Sequence, residues 1–166
     1  MDHVRDHDVN WIRQESALAE TLTYAIPDRY EAYGVLDLPR EIGPVEDGLL
    51  DALTARPTGL LIAGWIDRGP WPPSTGDEHV LYTGWRYRLR RVAESELRGL
   101  PTEGEGSFPD LLFPQDRSWL VSLLWDDSWR SIGASQAIAT RLTQDLPNFQ
   151  QLSPHANLAD TGRVQT

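Results

Sequence analysis

The chain has 166 residues, of which 40% are hydrophobic and seven are tryptophan, and its formal net charge is −10. A chain of this length suits a single domain with a packed core, and its acidity excludes general nucleic-acid binding because phosphates are repelled by an acidic surface. It contains no cysteine, which excludes a disulfide framework, a thiolate nucleophile and thiolate-based zinc sites.

The N-terminus and the apolar runs of the sequence predict a cytoplasmic protein. The N-terminus, MDHVRDHDVN, is polar and acidic, and no apolar segment of the kind found in signal peptides follows it. The longest apolar run, GLLIAGWI, is too short to cross a bilayer, which requires about 20 apolar residues. We therefore expect no membrane association.

Strand patterns dominate the first half of the chain. In RYEAYGVLDL (29–38), alternate residues fall on the two faces of a strand. The segment GLLIAGWID (59–67) is almost continuously apolar, which is typical of a central strand covered on both faces. The segment EHVLYTGWRYRLRRV (78–92) supplies two short strands around Gly84, either as a hairpin or as one bulged strand.

Helical patterns lie between and after these strands. VEDGLLDALTARP (45–57) has three leucines on one side, acidic residues near its start and a proline at its end, as expected for a helix. AESELRGL (93–100) can form one or two helical turns. ASQAIATRLTQDL (134–146) is the clearest helix, with Ser135 as its N-cap and apolar residues at four-residue spacing. A further strand is possible at 148–152.

The order of these elements predicts the fold class. Most strand connections are too short for parallel crossovers, which need a dozen or more residues. We therefore expect an α+β fold, with one mostly antiparallel sheet covered by two or three helices. Residues 1–150 are expected to form a single domain, and residues 151–166 a flexible C-terminal tail.

The most patterned stretch, SWLVSLLWDDSWRSI (118–132), predicts a hairpin whose first strand is buried on both faces. A three-residue loop of Asp126, Asp127 and Ser128 would place Trp125 opposite Trp129. Such aromatic pairs stabilise hairpins by roughly 0.2–1 kcal/mol. A catalytic role for the two aspartates would require a third carboxylate or a histidine nearby. We favour the turn, because adjacent side chains there point apart, and we keep both aspartates as candidate binding residues.

A second candidate surface is the strand WRYRLRR (85–91). Its alternation places Arg86, Arg88 and Arg90 on one face and the aromatic and apolar residues between them on the other. This ladder can be a solvated face, or it can be neutralised by acidic residues on the next strand. It can also bind an anionic partner or ligand, because arginine binds carboxylates and phosphates in a bidentate manner.

The proline-rich loop GPWPPS (69–74) contains a third candidate, Trp71. Tryptophan is over-represented at binding hot spots, although a loop tryptophan can also pack over the edge of its own sheet. No glycine-rich phosphate loop or nucleophile elbow occurs. His3 and His7 have the spacing of helical metal ligands, but they lie in a polar terminus without a rigid surrounding shell. No catalytic residue, metal site or cofactor is therefore predicted.

Two blocks of the sequence resemble a group of small actinobacterial proteins to which no activity is assigned. The first block is IPDRYEAYGVL and the second is FPQDRSWLVSLLWDDSWRSIGAS, and together they cover about a third of the chain. The matching positions are Tyr30, Glu31, Ala32, Tyr33, Asp116, Arg117, Ser118, Trp119, Trp125, Trp129, Ile132, Gly133 and Ser135. Ala134 stands where the group usually has a second glycine. The resemblance implies a bacterial cytosolic protein and supplies no mechanism.

Two functions are compatible with these observations. The first is a non-catalytic protein-interaction module, such as an immunity or antitoxin-like factor or an accessory subunit, because the acidic charge would favour a basic protein partner. The alternative is a small-molecule sensor or enzyme whose pocket is lined by tryptophan and arginine and takes an acidic ligand. A concave pocket that joins arginine side chains to a tryptophan face would favour the alternative.

Overall fold

The computed structural model describes residues 11–12, 25–38, 45–56, 58–66, 78–82, 85–101, 107–123 and 128–157. These residues form one sheet of eight strands, two α-helices and a short 3₁₀ helix. The strands are β1 Ala32–Asp37, β2 Leu61–Ile66, β3 Glu78–Tyr82, β4 Trp85–Val92, β5 Leu111–Pro114, β6 Leu120–Ser122, β7 Trp129–Ala134 and β8 Phe149–Leu152. The helices are α1 Val45–Leu53, α2 Gln136–Asp145 and the 3₁₀ helix Glu94–Glu96.

The strands lie in the order β3-β4-β2-β5-β6-β7-β1-β8. Every pairing between neighbours is antiparallel, so the predicted α+β class with an antiparallel sheet is confirmed. Tyr82 pairs with Trp85, so the segment that was open to two interpretations is a hairpin of β3 and β4. The strands predicted at 59–67 and 148–152 are also present.

Both faces of the sheet are apolar, and each is packed against different parts of the chain. One face, here called the helix face, joins side chains of β1, β2, β4, β6 and β7 to the leucines of α1 and the apolar side of α2. The opposite face packs against Trp11, Ile12 and Ile26. Strand β2 contributes Leu61 to the helix face and Ile62 to the opposite face, which confirms that it is covered on both sides.

Local sequence signals account for both helices. Ser135 has extended backbone angles, and its side chain accepts a hydrogen bond from the Ile138 N–H at 3.4 Å, as predicted for an N-cap. The three leucines of α1 are at most 2% exposed. No helix within the described ranges is both long and apolar enough to cross a membrane.

The hairpin of β6 and β7 differs in register from the prediction. Ser122 lies opposite Ser131, whereas a pairing of Trp125 with Trp129 would have placed it opposite Ile132. The predicted register is therefore wrong by one residue in the described part of the hairpin. Trp119 and Val121 lie in the helix-face core and Leu120 lies in the opposite core, so the burial of this strand on both faces is confirmed.

Candidate functional site

Strand β4 presents the predicted arginine ladder. Tyr87 and Leu89 are buried in the core of the opposite face, and the residues between them point the other way because side chains alternate along a strand. Arg88 and Arg90 are exposed on the helix face, and Arg86 is partly buried. The predicted alternation is therefore confirmed.

Of the two strands that pair with β4, β2 supplies an aromatic side chain beside the ladder. In the pairing of β2 with β4, Trp65 lies opposite Arg88 and Ala63 lies opposite Arg90. Neither of these two cross-strand positions holds a carboxylate. The acidic contact of Arg90 comes from the 3₁₀ helix, where Glu96 Oε1 lies 3.9 Å from the Arg90 guanidinium.

A half-open cleft of about 210 Å³ lies over this part of the sheet. Its lining combines an apolar bottom, a charged rim and an aromatic wall. The lining residues are Trp65, Arg88, Arg90, Val92, Glu96, Leu97, Leu100 and Ser107. Val92 and Leu97 are buried, whereas the two arginines and the glutamate are exposed. The cleft therefore joins arginine side chains to a tryptophan face.

A hydrogen bond fixes the wall of the cleft. The Trp65 indole Nε1–H donates to the Ser107 carbonyl oxygen at 2.7 Å, which ties β2 to the segment before β5. Because this bond uses the single indole donor, the ring offers the cleft an apolar π surface. The Arg90 guanidinium lies 5.9 Å from the centre of that ring, within the range of a cation–π contact.

The hydrogen-bond donors of the Arg90 guanidinium have no acceptor among the described residues. Its side chain is 54% exposed, and its contact with Glu96, at 3.9 Å, is longer than a hydrogen bond. Glu96 is itself held in place, since its Oε2 accepts the Ala93 N–H at 2.6 Å. Arg98 differs, because it donates to the carboxylates of both Asp51 and Glu94. Arg90 can therefore accept an external anion without breaking an internal hydrogen bond.

A buried ion pair that sequence reasoning missed lies elsewhere on the helix face. Arg130 of β7 is 0% exposed and donates from Nε and Nη2 to the carboxylate of Glu46 in α1, with its shortest contact at 2.8 Å. Its Nη1 donates to the Pro109 carbonyl oxygen at 2.9 Å, and its guanidinium lies 4.8 Å from the centre of the Phe108 ring. Because the pair is fully enclosed, we assign it to the stability of the fold.

The other candidate residues are not brought into this cleft by any described contact. Trp71, Asp126 and Asp127, together with Trp125, lie outside the described residues. The described ranges hold no cluster of three or more potential metal ligands. The sequence analysis treated Trp65 only as part of a central strand. Its place beside the arginine ladder follows from the pairing of β2 with β4, which no local pattern of the sequence shows.

No protein-family model, curated protein or solved structure matches the chain. The resemblance to the actinobacterial group therefore stays a prediction, and the function has to be argued from the cleft itself.

Proposed function

We propose that the protein is a cytoplasmic binding protein without catalytic activity, and that it takes a small anionic ligand in the cleft between β4 and the 3₁₀ helix. The observation that carries this proposal is the exposed guanidinium of Arg90, whose hydrogen-bond donors are open, beside the Trp65 ring and above an apolar bottom. Ligand sites typically combine an apolar lining with a few polar groups that fix orientation. This cleft has that composition.

The net charge of −10 does not prevent an anion from binding here. At physiological ionic strength the Debye length is about 8 Å, so exposed acidic residues farther away are largely screened. Among the described residues, the charged side chains that line the cleft are Arg88, Arg90 and Glu96. At low ionic strength, where this screening is weak, the repulsion lowers the rate at which anions arrive.

The test is a thermal-shift screen with small carboxylates, phosphates and their neutral analogues. A ligand present at ten times its Kd stabilises the fold by about 1.4 kcal/mol, which raises the Tm of a protein of this size by roughly 3–6 °C. We expect such shifts for anions, and we expect the double variant Arg88→Gln with Arg90→Gln to lose them. Arg56→Gln is the matched control, because Arg56 is exposed and does not line the cleft. If no anion shifts the wild-type Tm, the proposal is wrong.

The protein-interaction module is the second candidate function. It is supported by the position of the exposed arginines next to β3. This strand pairs with β4 and lies at one edge of the described sheet. A strand at the edge of a sheet can receive an extended segment of a partner. The test is a pull-down that compares the wild type with Arg88→Glu plus Arg90→Glu. A partner of this face would be captured by the wild type and lost by the variant, whereas a basic partner of the acidic surface would be retained.

A further inference from the structure

The charge, aromatic wall and size of the cleft indicate the chemical class of its ligand. Resting on the proposed function, we infer that the ligand is a small monoanion with a flat apolar body, such as an aromatic carboxylate, whose carboxylate is held by Arg90 and whose ring lies against Trp65. Three features of the cleft carry this inference: its charge, its aromatic wall and its size.

The charge of the rim fits one negative charge. Among the described residues, two arginines and one glutamate line the cleft, so their formal sum is one net positive charge. The Glu96 carboxylate is fixed by the Ala93 N–H and lies 3.9 Å from the Arg90 guanidinium, so it would repel additional negative charge on a ligand at that position. A carboxylate matches the planar fork of an arginine, which holds it by two parallel hydrogen bonds. A phosphate dianion or a polyphosphate fits this rim less well.

The wall and bottom of the cleft favour a flat apolar body over a bare anion. The indole of Trp65 has its N–H engaged by Ser107, so the ring can stack but cannot donate a hydrogen bond. Leu97 and Val92 close the bottom of the cleft and are buried, while Trp65 and Leu100 are only partly buried and line it with exposed apolar surface. An anion without an apolar part would leave the surface of Trp65 and Leu100 in contact with water, whereas an aromatic ring would cover it. Because the Arg90 guanidinium is 5.9 Å from the Trp65 ring centre, one small molecule can reach both.

The size of the cleft limits the length of the ligand. Its volume of about 210 Å³ is below the range of roughly 300–1,000 Å³ that accommodates drug-sized molecules. A single ring with one carboxylate is therefore the appropriate size class, and the half-open side leaves room for a substituent that points into solvent.

The experiment is an NMR titration of the full-length protein with benzoate, acetate, benzamide and inorganic phosphate, followed through the Trp65 indole N–H signal and, in the variants that lack this indole, through the backbone amide signals of Val92 and Leu97, which line the same cleft. Benzamide keeps the flat ring without the charge, and acetate keeps the charge without the ring. We expect benzoate to bind at least tenfold more tightly than each of the other three. The Trp65 signal is assigned by its absence in Trp65→Phe, a variant that keeps an aromatic face and should therefore keep the preference for benzoate over acetate.

Two further variants separate the two parts of the inference. Arg90→Gln should remove the preference for benzoate over benzamide, and Trp65→Leu should remove the preference for benzoate over acetate, while Arg56→Gln should change neither. Circular dichroism checks that each variant is folded, and the comparison among the four ligands is made in the wild type.

The outcomes distinguish this inference from the proposed function. If none of the four ligands perturbs the Trp65 signal, both the inference and the proposal of an anion site here are wrong. Equal affinities for benzoate and acetate would leave an anion site but refute the flat apolar body. Tighter binding of phosphate than of benzoate would refute the monoanion and leave the proposed function intact.

Discussion

Replacing Glu46 with alanine should destabilise the fold by about 3–5 kcal/mol, because it removes one partner of a buried ion pair and leaves the other charge enclosed. Arg130 is 0% exposed, and three of its four hydrogen bonds to the chain end on the Glu46 carboxylate. The Pro109 carbonyl oxygen would remain as the one hydrogen-bond acceptor. The loss is a large share of the roughly 5–15 kcal/mol by which domains are typically stable.

Urea denaturation, monitored by tryptophan fluorescence, measures this loss. Asp51→Ala is the matched control, because Asp51 pairs with an arginine on the surface, where both side chains are at least 40% exposed. Exposed pairs contribute about 0–1 kcal/mol, so the control should stay close to the wild type. The double variant Glu46→Leu with Arg130→Met should be more stable than Glu46→Ala, since it leaves no unpaired charge. A loss below about 1 kcal/mol for Glu46→Ala would show that the enclosed guanidinium finds another partner or water, and would refute the reasoning.

Three further predictions concern other parts of the fold. Ser135→Ala should cost about 1 kcal/mol through loss of the N-cap, measured by denaturation, and an unchanged stability would show that this cap is dispensable. Gly133→Ala should cost about 1–3 kcal/mol by overpacking, because a Cβ there would overlap the side chains of Ile26 and Tyr30; a Tm equal to that of the wild type would contradict this close approach. Burial raises the pKa of the Tyr33 hydroxyl, so its stabilising effect is complete below the unfolded pKa of about 10 and is lost as the pH rises through the folded value. The stability difference between the wild type and Tyr33→Phe should therefore shrink above about pH 10, and a constant difference would show that the hydroxyl titrates as it does in the unfolded chain.

Most of the elements were predictable from the sequence because their signals are local, but the sequence analysis did not predict β5 at Leu111–Pro114. The alternation of Arg88 and Arg90 with buried residues follows from the two-residue period of a strand. The N-terminus of α2 follows from the N-cap preference of Ser135. The register of β6 and β7 was not predictable in the same way. It depends on the turn that joins the strands, and an error of one residue in the assumed pairing shifts every pair by one position.

Only part of the candidate site was predictable, because its arginines are placed by a local strand pattern whereas Trp65 and Ser107 are placed by tertiary contacts. The arginines belong to one strand, so their common face could be read from the sequence. Trp65 reaches them only because β2 lies beside β4 in the order of the sheet, and Ser107 joins the wall through a contact 42 residues away. Glu46 was read as an acidic residue that favours a helix start, and nothing local distinguishes it from an acid paired with an arginine 84 residues later.

Arg90 and Arg130 have the same side chain on the same face of the sheet, and their surroundings give them different roles. A guanidinium enclosed between helix and sheet must be paired, because a buried unpaired charge is expensive, and Arg130 is paired with Glu46. Arg90 lies where its side chain is 54% exposed, so water solvates it and the fold does not require a carboxylate beside it. Replacing Arg90 should therefore change stability by no more than about 0.5 kcal/mol. A loss of anion binding in Arg90→Gln would then report the loss of a ligand contact, since the same change leaves the sheet intact.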